Sequence, residues 1–307
     1  MVAGTGFNYA CIWHPDGTPE FLPVSSGFNQ SQANAVNNQG TVVGAAVWPD
    51  GTRSFVWNGG SFTFIDHWSH GLTSCGACDI SEAGHVCGQV AGKWGVNYRG
   101  FRWKDGVLEV LEPLPGAQDC TAYAVNSDGV AVGFSRYYFK DDKSYNFLPT
   151  MWVGTEAIAL PLQPGYTQGA CIDISDLGTL LGVISVPDVS GLPASKWVTW
   201  LNSVPIDIKA IIATPNPSQM GAAWGINDRD QIVAKGKVTP PGATGVWILT
   251  PERVEADLNG DCEVDGADLA ALLEAWGSRR QGHPADLTGD GNVSGADLGL
   301  LLARWTS

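Results

Sequence analysis

AVNSDGVAVG, residues 124–133, is one of five versions of a single phrase. AVNNQGTVVG stands at 35–44, DISEAGHVCG at 79–88, DISDLGTLLG at 173–182, and a worn copy, GINDRDQIVAKG, at 225–236. Each reads as a strand, a tight Asn/Asp/Gly turn and a second strand. Between the phrases a tryptophan closes a short β-like run: Trp13 (ACIW), Trp57 (SFVW), Trp103 (GFRW), Trp152 (PTMW), Trp200 (WVTW) and Trp247 (TGVW), spaced by 44, 46, 49, 48 and 47 residues. A further strand, such as SFTFID at 61–66 or VLEVLEP at 107–113, completes each unit.

Four short antiparallel strands in each unit is the pattern of a propeller blade, and stacking blades about an axis buries faces that one blade would expose. Residues 1–250 are therefore predicted to form an all-β propeller, with a small all-α module over 251–307. The six tryptophan strands but only five Asn-turn hairpins leave two blade counts. Five blades, closed by segment 8–24 against the last unit, is the first reading; six, with two strands of one blade missing, is the second. The repeat over roughly 8–250 resembles the extracellular HAF-type repeat family, whose units run A-x-x-IN-x-x-G-x-VVG … AFxW. The six tryptophans, repeated at one structural position, read as packing between blades.

Two further loops share one design: DLNGDCEVDGAD at 257–268 and DLTGDGNVSGAD at 286–297, each followed by a Leu-rich helical pattern. Oxygen-bearing side chains at positions 1, 3, 5, 9 and 12 of a twelve-residue loop are how a chain wraps Ca²⁺. The predicted ligands are Asp257, Asn259, Asp261, Glu263 through its carbonyl, Asp265 through water, and Asp268. In the second loop they are Asp286, Thr288, Asp290, Asn292, Ser294 and Asp297, so two calcium ions are expected. Apolar residues at Leu269, Leu272, Leu273 and at Leu298, Leu301, Leu302 keep helical spacing.

The loop-then-helix duplication over about 255–307 resembles the type I dockerin domain, which implies calcium binding and a cohesin-like or other surface protein as partner. Two positions depart from the pattern. Cys262 replaces the Gly of the sharp turn, which should weaken the first site, while Gly291 keeps it. Gly266-Ala267 and Gly295-Ala296 replace the Ser-Thr type pair of cellulosomal dockerins, which points away from a standard cohesin.

A net charge of −14 and the lack of a basic stripe argue against nucleic acid and anionic membranes. No apolar run is long enough to span a bilayer. The start, MVAGTGFNYACIWHPDG, has neither the basic end nor the apolar stretch of a leader. Because calcium sites of this kind suit the outside of a cell, the protein is expected to be extracellular or on the cell surface, with a leader missing from this chain.

Trp68 and Trp94 lie off the repeat and are the predicted ligand contacts, with a glycan as the candidate. His67, His70, Cys75, Cys78, His85 and Cys87 cluster in the second unit and admit three readings: disulfides, including a Cys75–Cys120 bridge; buried thiols; or a zinc site. Asp79 and Asp173 begin equivalent strands, where a carboxylate pair would suit glycoside hydrolysis or simply serve a turn. No catalytic constellation is apparent, so the expected function is a non-enzymatic binding or scaffold protein. The alternative is a polysaccharide-degrading enzyme or an accessory subunit of such a complex.

Overall fold

The computed structural model describes residues 1–6, 9–22, 30–92, 98–139, 144–186, 195–201, 203–212, 219–238, 243–251, 256–258, 264–278 and 283–305. The chain divides into two compact units, Met1–Leu249 and Thr250–Ser307. The first is a β-propeller of six antiparallel sheets in chain order.

Blade 4 shows the full pattern, with strands Asp119–Val125, Ala131–Phe139, Ser144–Val153 and Glu156–Ala159 paired in sequence order. Blade 1 consists of Val2–Gly6, Tyr9–Trp13 and Pro19–Phe21, and blade 6 of Met220–Ile226, Ile232–Val238 and Ala243–Leu249. Five blades is therefore corrected to six. Segment 8–24 does not complete the last unit; its tryptophan strand pairs with the first residues of the chain, Val2 opposite Trp13 and Gly6 opposite Tyr9. The reason for the miscount is physical. The stretch MVAGTG carries no Asn turn, and only its pairing shows it to occupy the second-strand place of a blade.

The repeated phrase builds one turn in every blade from 2 to 6. In blade 4 the Asn126 side chain accepts from Val130 N at 2.9 Å, its backbone N–H bonds Val130 O, and Gly129 takes the left-handed conformation with φ 77°. Ser81 and Ser175 cap the same turn with hydroxyl oxygens in blades 3 and 5. In the worn copy Asn227 still caps, and Asp230, not Gly, holds the left-handed position at φ 55°. Asp tolerates that region better than most residues because its short polar side chain bonds locally.

The glycine that ends the phrase answers to a different constraint. The first strand of blades 2 to 5 carries a β-bulge, between Ala33 and Ala35, Ala77 and Asp79, Ala122 and Ala124, and Cys171 and Asp173. The bulge presses a carbonyl of that strand onto its neighbour, so a Cβ at Gly44, Gly88, Gly133 or Gly182 would collide with the backbone oxygen of Gln32, Gly76, Thr121 or Ala170.

Blades join through buried aromatics and directed hydrogen bonds. Trp57, Trp152 and Trp200 are buried. The indole N–H of Trp152 donates to Glu112 O and that of Trp200 to Pro161 O, both at 2.8 Å and both reaching the preceding blade. At the turns, Asn38 N donates to both Glu82 oxygens at 3.0 and 3.1 Å, and Ser127 N donates to Asp176 at 2.6 Å.

The second unit contains the helices Gly266–Glu274 and Gly295–Ala303. Their buried Leu272 and Leu301 pack with Val264, Val293, Ala256 and Ala285. The apolar spacing read from the sequence thus forms one small shared core.

Candidate functional site

In the second unit the last acidic residue of each loop does two things at once. Asp268 and Asp297 are fully buried, and each closes a capping box at the start of its helix, with Asp265 and Ser294 as the caps. Asp268 accepts from Leu258 N at 2.6 Å and Asp265 N at 2.8 Å; Asp297 accepts from Thr288 N at 2.9 Å and Ser294 N at 2.7 Å. The second loop, and the described ends of the first, are therefore folded back on the closing carboxylates. For Asp297, burial pushes the carboxyl upward, but hydrogen bonds from Thr288 and Ser294 outweigh it and hold the group below its ordinary range.

Asp286 opens the second loop and accepts from Asp290 N at 3.1 Å and Gly291 N at 2.8 Å. Gly291 is left-handed at φ 86°, the sharp turn expected at position 6. Its counterpart Cys262, together with Asn259, Asp261 and Glu263, lies outside the described residues.

These carboxylates are turned onto loop amides, and among the described residues no three His, Cys, Asp or Glu side chains gather closely enough to hold a metal. The donor set still fits calcium. Asp257, Asp265, Asp268, Asp286, Thr288, Asp290, Asn292, Ser294 and Asp297 supply oxygen atoms at the loop spacing of a hard cation.

Comparison with known families agrees with this geometry. Residues 255–304 match the dockerin type I domain. No curated protein matches the chain. Among solved structures, a streptogramin B lyase is 14% identical with a TM-score of 0.40, over 81% of this chain and 78% of its own. The β-propeller domain of the trilobed protease from Pyrococcus furiosus, described as having an open velcro topology, is 10% identical with a TM-score of 0.44, over 83% and 76%.

On the propeller, Trp68 sits in a short 3-10 turn, Trp68–His70, and is 43% exposed. Beneath it the buried His67 ring lies 4.6 Å away and bonds Ile65 O through Nδ1 at 3.2 Å. The Arg53 guanidinium stands 4.4 Å over Trp48 and 5.6 Å over Trp68, and it also pairs with Asp50 at 2.8 Å. Trp48 meets Phe64 edge to face at 5.1 Å. Trp68 thus belongs to an aromatic surface with Trp48, Arg53 and Phe64, which the sequence reading does not include. Its one advance signal is the Trp48-Pro-Asp-Gly turn, which brings Trp48 and Arg53 to neighbouring strands. Trp94 lies outside the described residues.

The cysteine and histidine cluster divides among separate tasks. Cys11, Cys75, Cys78, Cys87, Cys120 and Cys171 are free thiols, so the disulfide reading and its Cys75–Cys120 bridge are corrected. Cys120 Sγ accepts from Gly100 N at 3.2 Å and donates to Leu111 O at 3.1 Å, joining blade 4 to blade 3. Ser31 does the same in blade 2, accepting from Ala10 N at 2.9 Å. The equivalence of Cys75 and Cys120 in the repeat is that of a small polar latch, which needs no covalent bond. His67 serves the Trp68 turn, His70 bonds Ser69 at 3.1 Å, and His85 faces Lys104 at 3.3 Å, so the described residues gather no zinc site.

Asp79 and Asp173 are latches as well. Asp79 Oδ2 accepts from Val125 N at 3.0 Å in blade 4, and Asp173 Oδ2 accepts from Ile226 N at 2.8 Å in blade 6. Each reaches the N–H that follows the bulged part of the next blade's innermost strand. Burial pushes both carboxyls up, and with the nearby Asp79 charge it takes Asp173 to about 7.

Proposed function

We propose that this chain is an extracellular component in which a non-catalytic propeller presents a binding face and the C-terminal module, loaded with two calcium ions, docks to a cohesin-like or other surface protein. The observation that carries this reading is the dockerin type I match at 255–304, coinciding with two buried carboxylates, Asp268 and Asp297, that close the repeated loops. Calcium supplies the hard cation; the loop oxygens bind it and the capped helices present the docking surface. Gly266-Ala267 and Gly295-Ala296 favour a partner other than a standard cellulosomal cohesin. The Trp48–Trp68 surface is the propeller's candidate glycan contact, since exposed rings stack on sugar faces. Membership of residues 8–250 in the HAF-type family rests on the repeated phrase alone.

The test is capture of the full chain by a panel of immobilised cohesins and by surface proteins of the source secretome, with calcium and with chelator. Calcium-dependent capture by one of them supports the reading. Capture by none, or release of product from polysaccharides at about 1 s⁻¹ or faster, overturns it.

A further inference from the structure

At the end of the strands that carries the Asn turns, opposite the end that carries Trp68, a pocket of ≈ 290 Å³ opens between blades 3 and 4. Its walls include His85, Arg102, Lys104, Val107, Glu109 and Asp128. The volume is at the low end for small-molecule sites and suits one monosaccharide-sized unit.

The charges in it are unequally satisfied. Arg102 is committed to structure: it pairs with Glu109 at 2.5 Å and donates to Gly129 O of the next blade's turn. Lys104 is not. Its ammonium lies 3.3 Å from His85 Nε2, and among the described residues no carboxylate is within ion-pairing distance of it. Asp128 likewise makes no ion pair among the described residues.

His85 is held at the pocket base with little room to move. A Cβ on Gly129 would stand 2.9 Å from its Cε1, and its buried Nδ1 has no hydrogen-bond partner. With Nε2 accepting from Lys104, the proton resides on Nδ1. Burial and then the Lys104 and Arg102 charges lower its basicity, whereas Asp105 and Glu109 act the other way. The lining charges balance in sum, Arg102 and Lys104 against Glu109 and Asp128, but Lys104 beside His85 has no ion-pair partner of its own among the described residues.

We propose that this pocket binds a sugar acid, a polyhydroxylated ring bearing one carboxylate. The carboxylate meets Lys104 beside His85, ring hydroxyls donate to Asp128 and to the rim of Glu109, and Val107 lies against the ring. The site is independent of the Trp68 surface and of the docking reading above.

The experiment follows the imidazole Cε1–H signal of His85 in the full chain by NMR, assigned by its loss in His85→Gln, during titration with galacturonate, galactose and glycine. Galacturonate is expected to shift the signal saturably and raise the apparent His85 pKa by about one unit. Galactose and glycine should not. Lys104→Met should weaken the effect about tenfold or more at unchanged melting temperature, and Lys104→Arg should retain it. No saturable shift with galacturonate, an equal shift in Lys104→Met, or an equal response to galactose or glycine overturns the proposal.

Discussion

Asp173 shows how much a single side chain carries in this ring. Its two oxygens accept from Ile174 N and Ile226 N, and burial raises its carboxyl to about 7. A folded-state value above the unfolded one means that this group's contribution is fully present below about pH 4 and is lost as pH rises through about 7. Asp173→Asn keeps one acceptor oxygen and so forfeits one of the two backbone bonds, but it cannot ionise. We therefore expect its stability relative to the parent to improve between pH 4 and pH 8 by a few kcal/mol, measured by urea unfolding at both values. A difference independent of pH would contradict the assignment. Trp152, fully buried and bonded to Glu112 O, belongs at the same scale. Trp152→Ala should cost about 3–5 kcal/mol, and Trp152→Phe should cost less yet leave a carbonyl unpaired. A soluble Trp152→Ala protein of parental stability would remove the tryptophan from the blade interface. The sequence shows where both residues recur. It does not show their partners, because a backbone N–H 53 residues away and a backbone carbonyl 40 residues away leave no side-chain signature.

At the scale of the element, the hairpin and the acidic twelve-residue loop were legible for different reasons. The Asn-turn phrase is dictated locally by capping oxygen and left-handed glycine, so the sequence alone marks it. The bulge opposite Gly133 is not local, and the glycine is its only trace. Gly133→Ala should be strongly destabilising, since the new methyl meets Thr121 O. Parental melting of that variant would show that the strand can yield. The loops of the second unit display their candidate ligands by spacing, yet their capping boxes emerge only once the helices are placed. Asp286 organises Gly291 and Asp290, and chelation should abolish the helical circular dichroism of a 250–307 fragment. Asp286→Ala should mimic chelation more fully than Asp257→Ala, whose loop already has Cys at position 6. An unchanged spectrum in chelator would mean that the fold does not depend on the cation.

For the whole molecule, the period announced a propeller, while the preference for five blades over six failed because the first blade is recognisable only by pairing. The Trp48–Arg53–Trp68 surface was half legible: Trp68 stood outside the repeat, but its companions lie within a turn that the repeat disguises. One feature of the propeller bears on where it can operate. All six of its described cysteines are thiols used as packing and hydrogen-bond groups, and burial lifts Cys75 and Cys120 to about 12. Burial therefore keeps these groups in the unreactive thiol form at pH 8. Native protein should resist thiol-labelling reagents at these positions until unfolded, and its melting temperature should be the same with and without reductant. Folding of the ring then requires no oxidant and no disulfide-forming enzyme, so it is equally suited to oxygen-free and to aerated surroundings.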